Sequence, residues 1–155
     1  MTPRKTRPAG DLADHLPRWL EAVSRRMSAD LGKQVTSLGE FLDVRASERR
    51  ILQMVPAGSI RITDLAAVAG MTKQALGEFV DGLEAAGLVR SGKDPSDGRV
   101  RLVSRTDRGD AVARATGQAI AAVEDQWREE IGPAAYEAMM SALRQLGHGT
   151  FSPSD

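Results

Sequence analysis

The apolar positions in the middle of the chain repeat with the period of an α-helix. One stripe has the i, i+3, i+4, i+7 spacing and consists of Leu76, Phe79, Val80 and Leu83. At about 100° per residue, the opposite face is polar and carries Gln74, Gly77, Glu78 and Asp81. Thr72 precedes this stretch, where its hydroxyl can accept a hydrogen bond from an otherwise unpaired backbone N–H. The pattern predicts a helix that starts after Thr72 and has one buried and one outward face.

A shorter apolar pattern comes just before this helix. Leu65, Ala66 and Val68 supply the apolar positions of a short helix, Thr63 is its candidate N-cap, and Gly70 supplies the turn after it. Two helices joined in this way form a helix-turn-helix, the motif that places its second helix in the major groove of DNA. Many helical bundles also contain two helices at a sharp turn, so the interpretation depends on the elements that come after the second helix.

Two short runs with strand character come directly after the second helix. Residues 88–91 and 99–103 are predicted strands, and the loop KDPSDGR between them contains Pro and Gly as turn formers. Strand alternation directs Val100 and Leu102 inward, which would place Arg99 and Arg101 together on the other face. A helix-turn-helix followed by a hairpin is a winged helix, and this wing offers guanidinium groups.

Helical patterns flank the winged helix on both sides. The first runs from Leu12 to Leu31 and includes Trp19, with a start or kink at Pro17 and an end at Gly32. Residues 46–55 form another helix, and beyond the wing a long helix opens at Thr106 and a last one spans Pro133 to Gly147. The last two carry Trp127, Tyr136, Met139 and Met140, which are predicted as core or dimer contacts. These stripes exceed what one small core needs, so they form a bundle of their own or pack against a second copy.

Several motifs together resemble the MarR family of bacterial transcriptional regulators. They are TKQAL at the start of the second helix, LEAAGLV, DPSDGR, and a helix start at Thr106 with Gly109 three residues later. The detailed similarity covers residues 48–109, and outside this range only the helix pattern agrees. The resemblance implies a fold that is mainly α with a small β-wing, a winged helix-turn-helix flanked by N- and C-terminal dimerisation helices. It also implies that the run Ser59–Ile62 is a strand paired with the wing.

The same resemblance divides the chain. Residues 11–148 are expected to form a single domain, with the winged helix-turn-helix at about 46–104 and dimerisation helices at about 12–32 and 106–147. Residues 1–10 are Pro-rich and basic and are expected to be a disordered arm, and residues 149–155 a short tail.

Four candidate DNA contacts lie on the wing. In the MarR-like pattern, Arg99 enters the minor groove and Asp97 holds its guanidinium in place. A narrow minor groove has an enhanced negative potential, and a guanidinium suits it better than a hydrated ammonium. Lys93 and Arg101 are expected to contact phosphate, which sets affinity and register but not sequence preference.

The other four candidates lie on the second helix. Thr72 and Lys73 stand at its N-terminus, where phosphate or base contacts benefit from the free backbone N–H groups. Gln74 faces outward and can pair with an adenine edge. Glu78 faces outward too; it either repels phosphate or accepts a hydrogen bond from a cytosine amino group.

This second helix also departs from the family pattern. Asp81 adds a second acidic group to the outward face, and Gly82 stands where such helices often carry Arg or Lys. A glycine inside a helix costs about 1 kcal/mol relative to alanine. Arg105 occupies a place where Leu is usual.

Composition excludes several kinds of protein. The 155 residues include no cysteine, so disulfides, zinc ribbons and thiol-based redox sensing by the chain itself are excluded. His15 and His148 are the only histidines and lie at opposite ends of the chain, so no metal site is expected. No catalytic constellation is present, so neither an enzyme nor a cofactor is expected. No apolar run has membrane-spanning length, and the cytoplasm is the expected location. The formal net charge is zero, so any positive field is local to the wing.

The sequence therefore predicts a homodimeric, DNA-binding transcriptional regulator that occupies a palindromic operator on double-stranded DNA. The resemblance implies that repression is the commoner outcome, with release by a small-molecule ligand bound between the dimer helices and the DNA-binding lobe. Two alternatives stay open, namely a DNA-binding protein without an effector and a winged helix used as a protein–protein module. The sequence identifies neither the ligand-binding residues nor the operator.

Overall fold

The computed structural model describes residues 15–37 and 43–147. The predicted arm at residues 1–10, Leu12, His148 and the predicted tail at residues 149–155 lie outside the described residues. The elements in chain order are α1 (Leu16–Ser37), α2 (Ala46–Met54), β1 (Ser59–Arg61), α3 (Ile62–Ala69), α4 (Lys73–Ala85), β2 (Val89–Lys93), β3 (Arg101–Arg105), α5 (Asp107–Ile131) and α6 (Pro133–Gly147). The predicted fold class, mainly α with a small β-wing, is confirmed.

The helix-turn-helix consists of α3 and α4, and local signals define most of it. Gly70 ends α3 in the left-handed conformation at φ 64°, which glycine adopts without a steric penalty. The Thr72 hydroxyl accepts a hydrogen bond from the Ala75 backbone N–H at 3.2 Å, as the predicted N-cap should. The predicted cap at Thr63 is wrong. Helix α3 already begins at the buried Ile62, directly after Arg61 has paired with Leu102 across the sheet.

The three strands form an antiparallel sheet in the order β1-β3-β2. Strand β1 pairs with β3 through Ile60 and Val103, so the strand implied before the helix-turn-helix is confirmed. The main core joins the sheet to α2, α3, α4 and the start of α5, and its fully buried residues include Leu52, Leu65, Leu76, Val80, Leu83, Leu88 and Val103.

The predicted inward face of the last strand is wrong. Val103 is fully buried, whereas Leu102 is only partly buried, so Val103 and not Leu102 marks the inner side of β3, and Arg101 lies on that same side. Val100, Leu102 and Val103 place apolar residues on both alternating faces, so the pattern was ambiguous. Packing against the helices selects the face.

Helices α1, α5 and α6 pack against one another beside this core. A second buried cluster contains Val123, Trp127 and Tyr136, with Met27, Leu31, Met139 and Met140 packed against it. Their assignment to the core is confirmed. Gly32 was predicted to end α1 but lies inside it, because Val35, one turn later, is also buried. None of the helices in residues 15–37 and 43–147 is both long and apolar enough to span a membrane.

Candidate nucleic-acid interface

The outward face of α4 presents the predicted contacts to solvent. Thr72, Lys73 and Gln74 are exposed at its N-terminus, and Glu78 is exposed one turn after Gln74. The opposite face buries Leu76, Val80 and Leu83 in the core. Because α4 is anchored along its whole buried stripe, the exposed side chains project from a rigid element.

Hydrogen bonds within the wing loop define its shape. The Asp94 carboxylate accepts from the Ser96 backbone N–H at 2.8 Å and from the Ser96 hydroxyl at 2.6 Å. These hydrogen bonds are the main reason that the pKa of Asp94 lies below its ordinary value. The Asp97 carboxylate accepts from the Arg99 backbone N–H at 3.0 Å, and the Val100 N–H donates to the Asp97 carbonyl at 2.9 Å. The loop is therefore held in a defined turn.

Two cations of the wing, Lys93 and Arg99, are exposed. Asp97 was expected to hold the Arg99 guanidinium, but in this structure its carboxylate holds the backbone of Arg99 instead. This contact directs the chain at the turn and leaves the Arg99 side chain directed to solvent. The roles of these residues towards DNA stay predictions.

Arg101 is placed differently from Arg99. Its Nε donates to the Ser91 hydroxyl at 2.9 Å, and its Nη2 donates to Asp81 at 2.8 Å and to Glu84 at 2.9 Å. Arg99 and Arg101 line the same groove of the wing, together with Lys93, but Arg101 is held by α4 and β2. Hydrogen bonding to Asp81, together with the charges of both carboxylates, raises the pKa of Arg101 above its ordinary value.

Arg45 was not predicted as a site residue, but the structure brings it to α4. A groove of about 210 Å³ lies between the start of α2 and the middle of α4, and its lining includes Arg45, Ser47, Glu78, Phe79 and Gly82. Arg45 thus brings a cation to the part of α4 where Gly82 supplies none. The Glu48 carboxylate accepts from the Arg45 N–H at 2.8 Å, but this local contact marks only the start of α2 and does not indicate that Arg45 lies near α4.

A second cavity lies behind the interface, among α1, α2 and α5. Its volume is about 490 Å³, and its apolar lining includes Leu31, Val35, Met54 and Ile120. Arg50, Gln53 and Thr116 add polar groups to the wall. Gln53 Nε2 is held at 2.6 Å by the Ala113 carbonyl, which links α2 to α5 directly beside the cavity.

Within the described residues, no group of three or more His, Asp or Glu side chains is arranged to hold a metal ion.

The comparisons with known proteins agree with this architecture. Residues 56–100, from just after α2 to the end of the wing loop, match the model of the MarR family. No curated protein is similar enough in sequence to be matched. A MarR-family regulator from Rhodococcus sp. RHA1 has the same fold with a TM-score of 0.75 and 22% identity, over 93% of this chain and 100% of that one.

Two regulators solved with bound molecules are also similar in fold. CouR, described from Rhodococcus jostii RHA1 and solved on a 23-mer DNA duplex, has a TM-score of 0.75 and 23% identity over 92% of this chain and 99% of that one. PcaV from Streptomyces coelicolor, solved with its natural ligand, has a TM-score of 0.73 and 20% identity over 94% of this chain and 100% of that one. The motif region at residues 56–100 thus matches the model of the MarR family, and the winged helix-turn-helix fold is shared with a MarR-family regulator along nearly the whole chain.

Proposed function

We propose that the protein is a transcriptional regulator that binds a palindromic operator in double-stranded DNA as a homodimer, and that it acts as a repressor. The observation that carries the proposal is the exposed N-terminal half of α4 beside an exposed cationic wing. A helix in the major groove and a wing on the adjacent minor groove can contact one half-site together. CouR, which has this fold, is seen on a DNA duplex.

The proposed contacts fall into two groups. Gln74 and Arg99 would read sequence, in the major and minor groove respectively, while Thr72, Lys73 and Lys93 would contact phosphate. Glu78 would face the groove without a favourable partner. All six side chains are exposed in the described structure, as such contacts require.

The terminal helices support a dimer. Several large apolar side chains on them are largely exposed, namely Leu16 at 64%, Trp19 at 55%, Leu20 at 49%, Ile131 at 45% and Leu146 at 78%. Monomeric proteins rarely leave such a set uncovered, and a second copy can cover it through a two-fold interface. The two copies of α4 would then meet half-sites about 34–36 Å apart.

We assign the cavity among α1, α2 and α5 as the site for a small-molecule effector. Its volume of about 490 Å³ is within the usual range for ligand sites, and its wall combines apolar side chains with polar groups from α1, α2 and α5. A ligand there would touch α1 and α5, which belong to the proposed dimer part, and α2, which packs on the winged helix. PcaV, of the same fold, is seen with a natural ligand.

We propose residues 11–148 as one functional unit and the cytoplasm as its location, where it meets DNA. No catalytic role is assigned.

Selection of bound fragments from random and genomic DNA, followed by footprinting, tests the function. The expected result is a palindrome whose half-site centres are about 10–10.5 base pairs apart, bound with an affinity that falls steeply with salt. Absence of salt-dependent binding to any duplex would contradict the proposal and favour a protein–protein module.

A further inference from the structure

We propose that Arg101 positions the wing against the recognition helix α4 and does not itself contact DNA. This inference rests on the proposed function, since it assigns the residue that sets the distance between the two DNA-binding elements. It also gives Asp81 and Glu84 a purpose that the sequence did not reveal.

The contacts of Arg101 form a clamp across three elements. Its guanidinium reaches Asp81 and Glu84 on α4 and the Ser91 hydroxyl on β2, at 2.8, 2.9 and 2.9 Å respectively. The second carboxylate oxygen of Glu84 accepts from the Ser91 backbone N–H at 2.6 Å. Glu84 therefore holds both strands of the wing, one through its backbone and the other through Arg101.

The clamp holds the hairpin close to its exposed loop, where it can control the orientation of that loop. Arg101 is the first residue of β3 and pairs with Lys93, the last residue of β2, directly before the loop that carries Arg99. Towards the other end of the hairpin, Val89 and Val103 are buried in the core. The clamp thus attaches the hairpin to α4 at the border of the exposed loop, and releasing it would let the loop swing about the buried end.

The charges argue against a phosphate contact. Two carboxylates share one guanidinium, so the cluster of Asp81, Glu84 and Arg101 has a net charge of −1 at neutral pH. A phosphate approaching Arg101 would also approach both carboxylates. The Arg101 side chain is only 34% exposed, whereas Lys93 at the paired position belongs to the exposed class.

A double-mutant cycle on the preferred operator separates positioning from direct contact. Arg99→Ala should weaken binding about tenfold in the wild-type background, which corresponds to one specific contact. In the Arg101→Met background, the wing is already displaced, and the same change should cost less than about twofold. If Arg101 and Arg99 instead contact DNA independently, or if Arg101→Met only destabilises the fold, Arg99→Ala should still weaken binding about tenfold in the Arg101→Met background. That result would overturn the proposal.

Arg101→Lys supplies a second criterion. A lysine ammonium serves well as a point charge for phosphate, but it lacks the planar fork that spans two carboxylates and a hydroxyl. The clamp therefore predicts that Arg101→Lys binds the operator as weakly as Arg101→Met. Recovery of wild-type affinity by lysine would overturn it.

A measurement without DNA keeps this inference separate from the proposed function. Because the chain has no cysteine, spin labels can be placed only at Ser96→Cys in the wing loop and Ala85→Cys on α4. In protein diluted with an excess of unlabelled chain, the distance distribution should broaden in Arg101→Met and stay narrow in the matched control Lys93→Met. Equal widths in wild type and Arg101→Met would refute the clamp even if operator binding is found. Broadening together with an absence of any DNA binding would instead refute only the proposed function.

Discussion

Glu78 is exposed in the middle of the outward face of α4, in the same groove as Arg45 and Gly82. Its carboxylate faces either phosphate or a base edge when α4 enters the major groove. The other acid of this face, Asp81, is already paired with Arg101, so Glu78 is the acidic group of the described α4 whose charge most directly opposes DNA.

We predict that Glu78→Gln tightens binding to operator and random DNA alike. The gain should be at most about 1 kcal/mol, the energy of two unit charges about 4 Å apart in water. Titration of both duplexes at one salt concentration checks this. A loss of about 1–3 kcal/mol at the operator alone would instead identify Glu78 as an acceptor for a cytosine amino group.

Gln74 and Lys93 are expected to make different kinds of DNA contact, Gln74 to a base and Lys93 to a phosphate. Gln74→Ala should weaken binding to the preferred operator by about 1–3 kcal/mol and leave binding to random DNA nearly unchanged. Lys93→Ala should weaken binding to both and reduce the salt slope by about one unit per chain. Affinities over a salt series on both duplexes provide the measurement. If the two variants behave alike, the assignment of base and phosphate contacts is wrong.

Close packing at the junction between the wing and α5 explains the Thr-x-x-Gly spacing of Thr106 and Gly109 at the start of α5. The Thr106 hydroxyl accepts from the Gly109 N–H at 3.1 Å, and the Thr106 N–H donates to the Leu88 carbonyl at 3.1 Å. A Cβ atom on Gly109 would stand 1.9 Å from the Leu88 carbonyl oxygen. The first turn of α5 therefore packs so closely against the backbone of Leu88, between α4 and β2, that a side chain has no room.

Gly109→Ala should destabilise the fold by about 3 kcal/mol, at the upper end of the usual cost of overpacking. The matched control is Gly82→Ala, because a Cβ at Gly82 meets no atom within 4 Å. That control should stabilise the protein by about 1 kcal/mol through helix propensity. Urea unfolding at one protein concentration measures both. A neutral Gly109→Ala would mean that α5 can shift away from Leu88 at little cost.

Helices α1 and α5 are joined by a polar contact inside their interface. The Asp30 side chain is 9% exposed, and its carboxylate accepts from Lys33 Nζ at 3.0 Å and from the Trp127 indole N–H at 3.1 Å. These hydrogen bonds lower the pKa of Asp30, the Lys33 contribution being the largest.

This lowered pKa predicts the direction of a pH effect. Because the folded-state pKa lies below the unfolded one, the contribution of Asp30 to stability is complete above about pH 4 and is lost as the pH falls through the folded value. The free energy of unfolding of wild type should therefore fall more steeply below pH 4 than that of Asp30→Asn, which cannot titrate. Parallel pH profiles for the two proteins would contradict the assignment.

The exposed apolar residues of α1 and α6 predict that the protein assembles as a dimer. Light scattering at micromolar concentration should give twice the chain mass of 16.6 kDa. Leu20→Lys combined with Val23→Lys should reduce dimerisation and operator affinity together, since both side chains are nearly half exposed on α1. Glu21→Lys on the same helix serves as the control for added positive charge. A folded wild-type monomer at micromolar concentration would rule out the proposed dimer.

Features that depend on neighbouring residues could be predicted from the sequence. The apolar stripe of α4, the Thr72 cap, the left-handed Gly70 and the start of α5 after Thr106 all result from helical period or from hydrogen bonds spanning at most four residues. The outward face of α4, and with it Gln74 and Glu78 as exposed groups, results from the same period. Together with winged-helix motifs of fixed spacing, these local features indicated the resemblance to a family and therefore the fold.

The remaining features depend on contacts between residues far apart in the chain, which no local pattern contains. Burial of Val103 selects the inner face of β3, and packing of α1 on α5 carries the helix past Gly32. Arg101 finds Asp81 twenty positions earlier, and Arg45 lies in the groove of Glu78 because the start of α2 comes close to the middle of α4. Charged side chains have no period that reveals their partners. Their roles were therefore set by how the elements pack, since an arginine is a DNA contact or a clamp according to which carboxylates the fold brings within hydrogen-bonding distance.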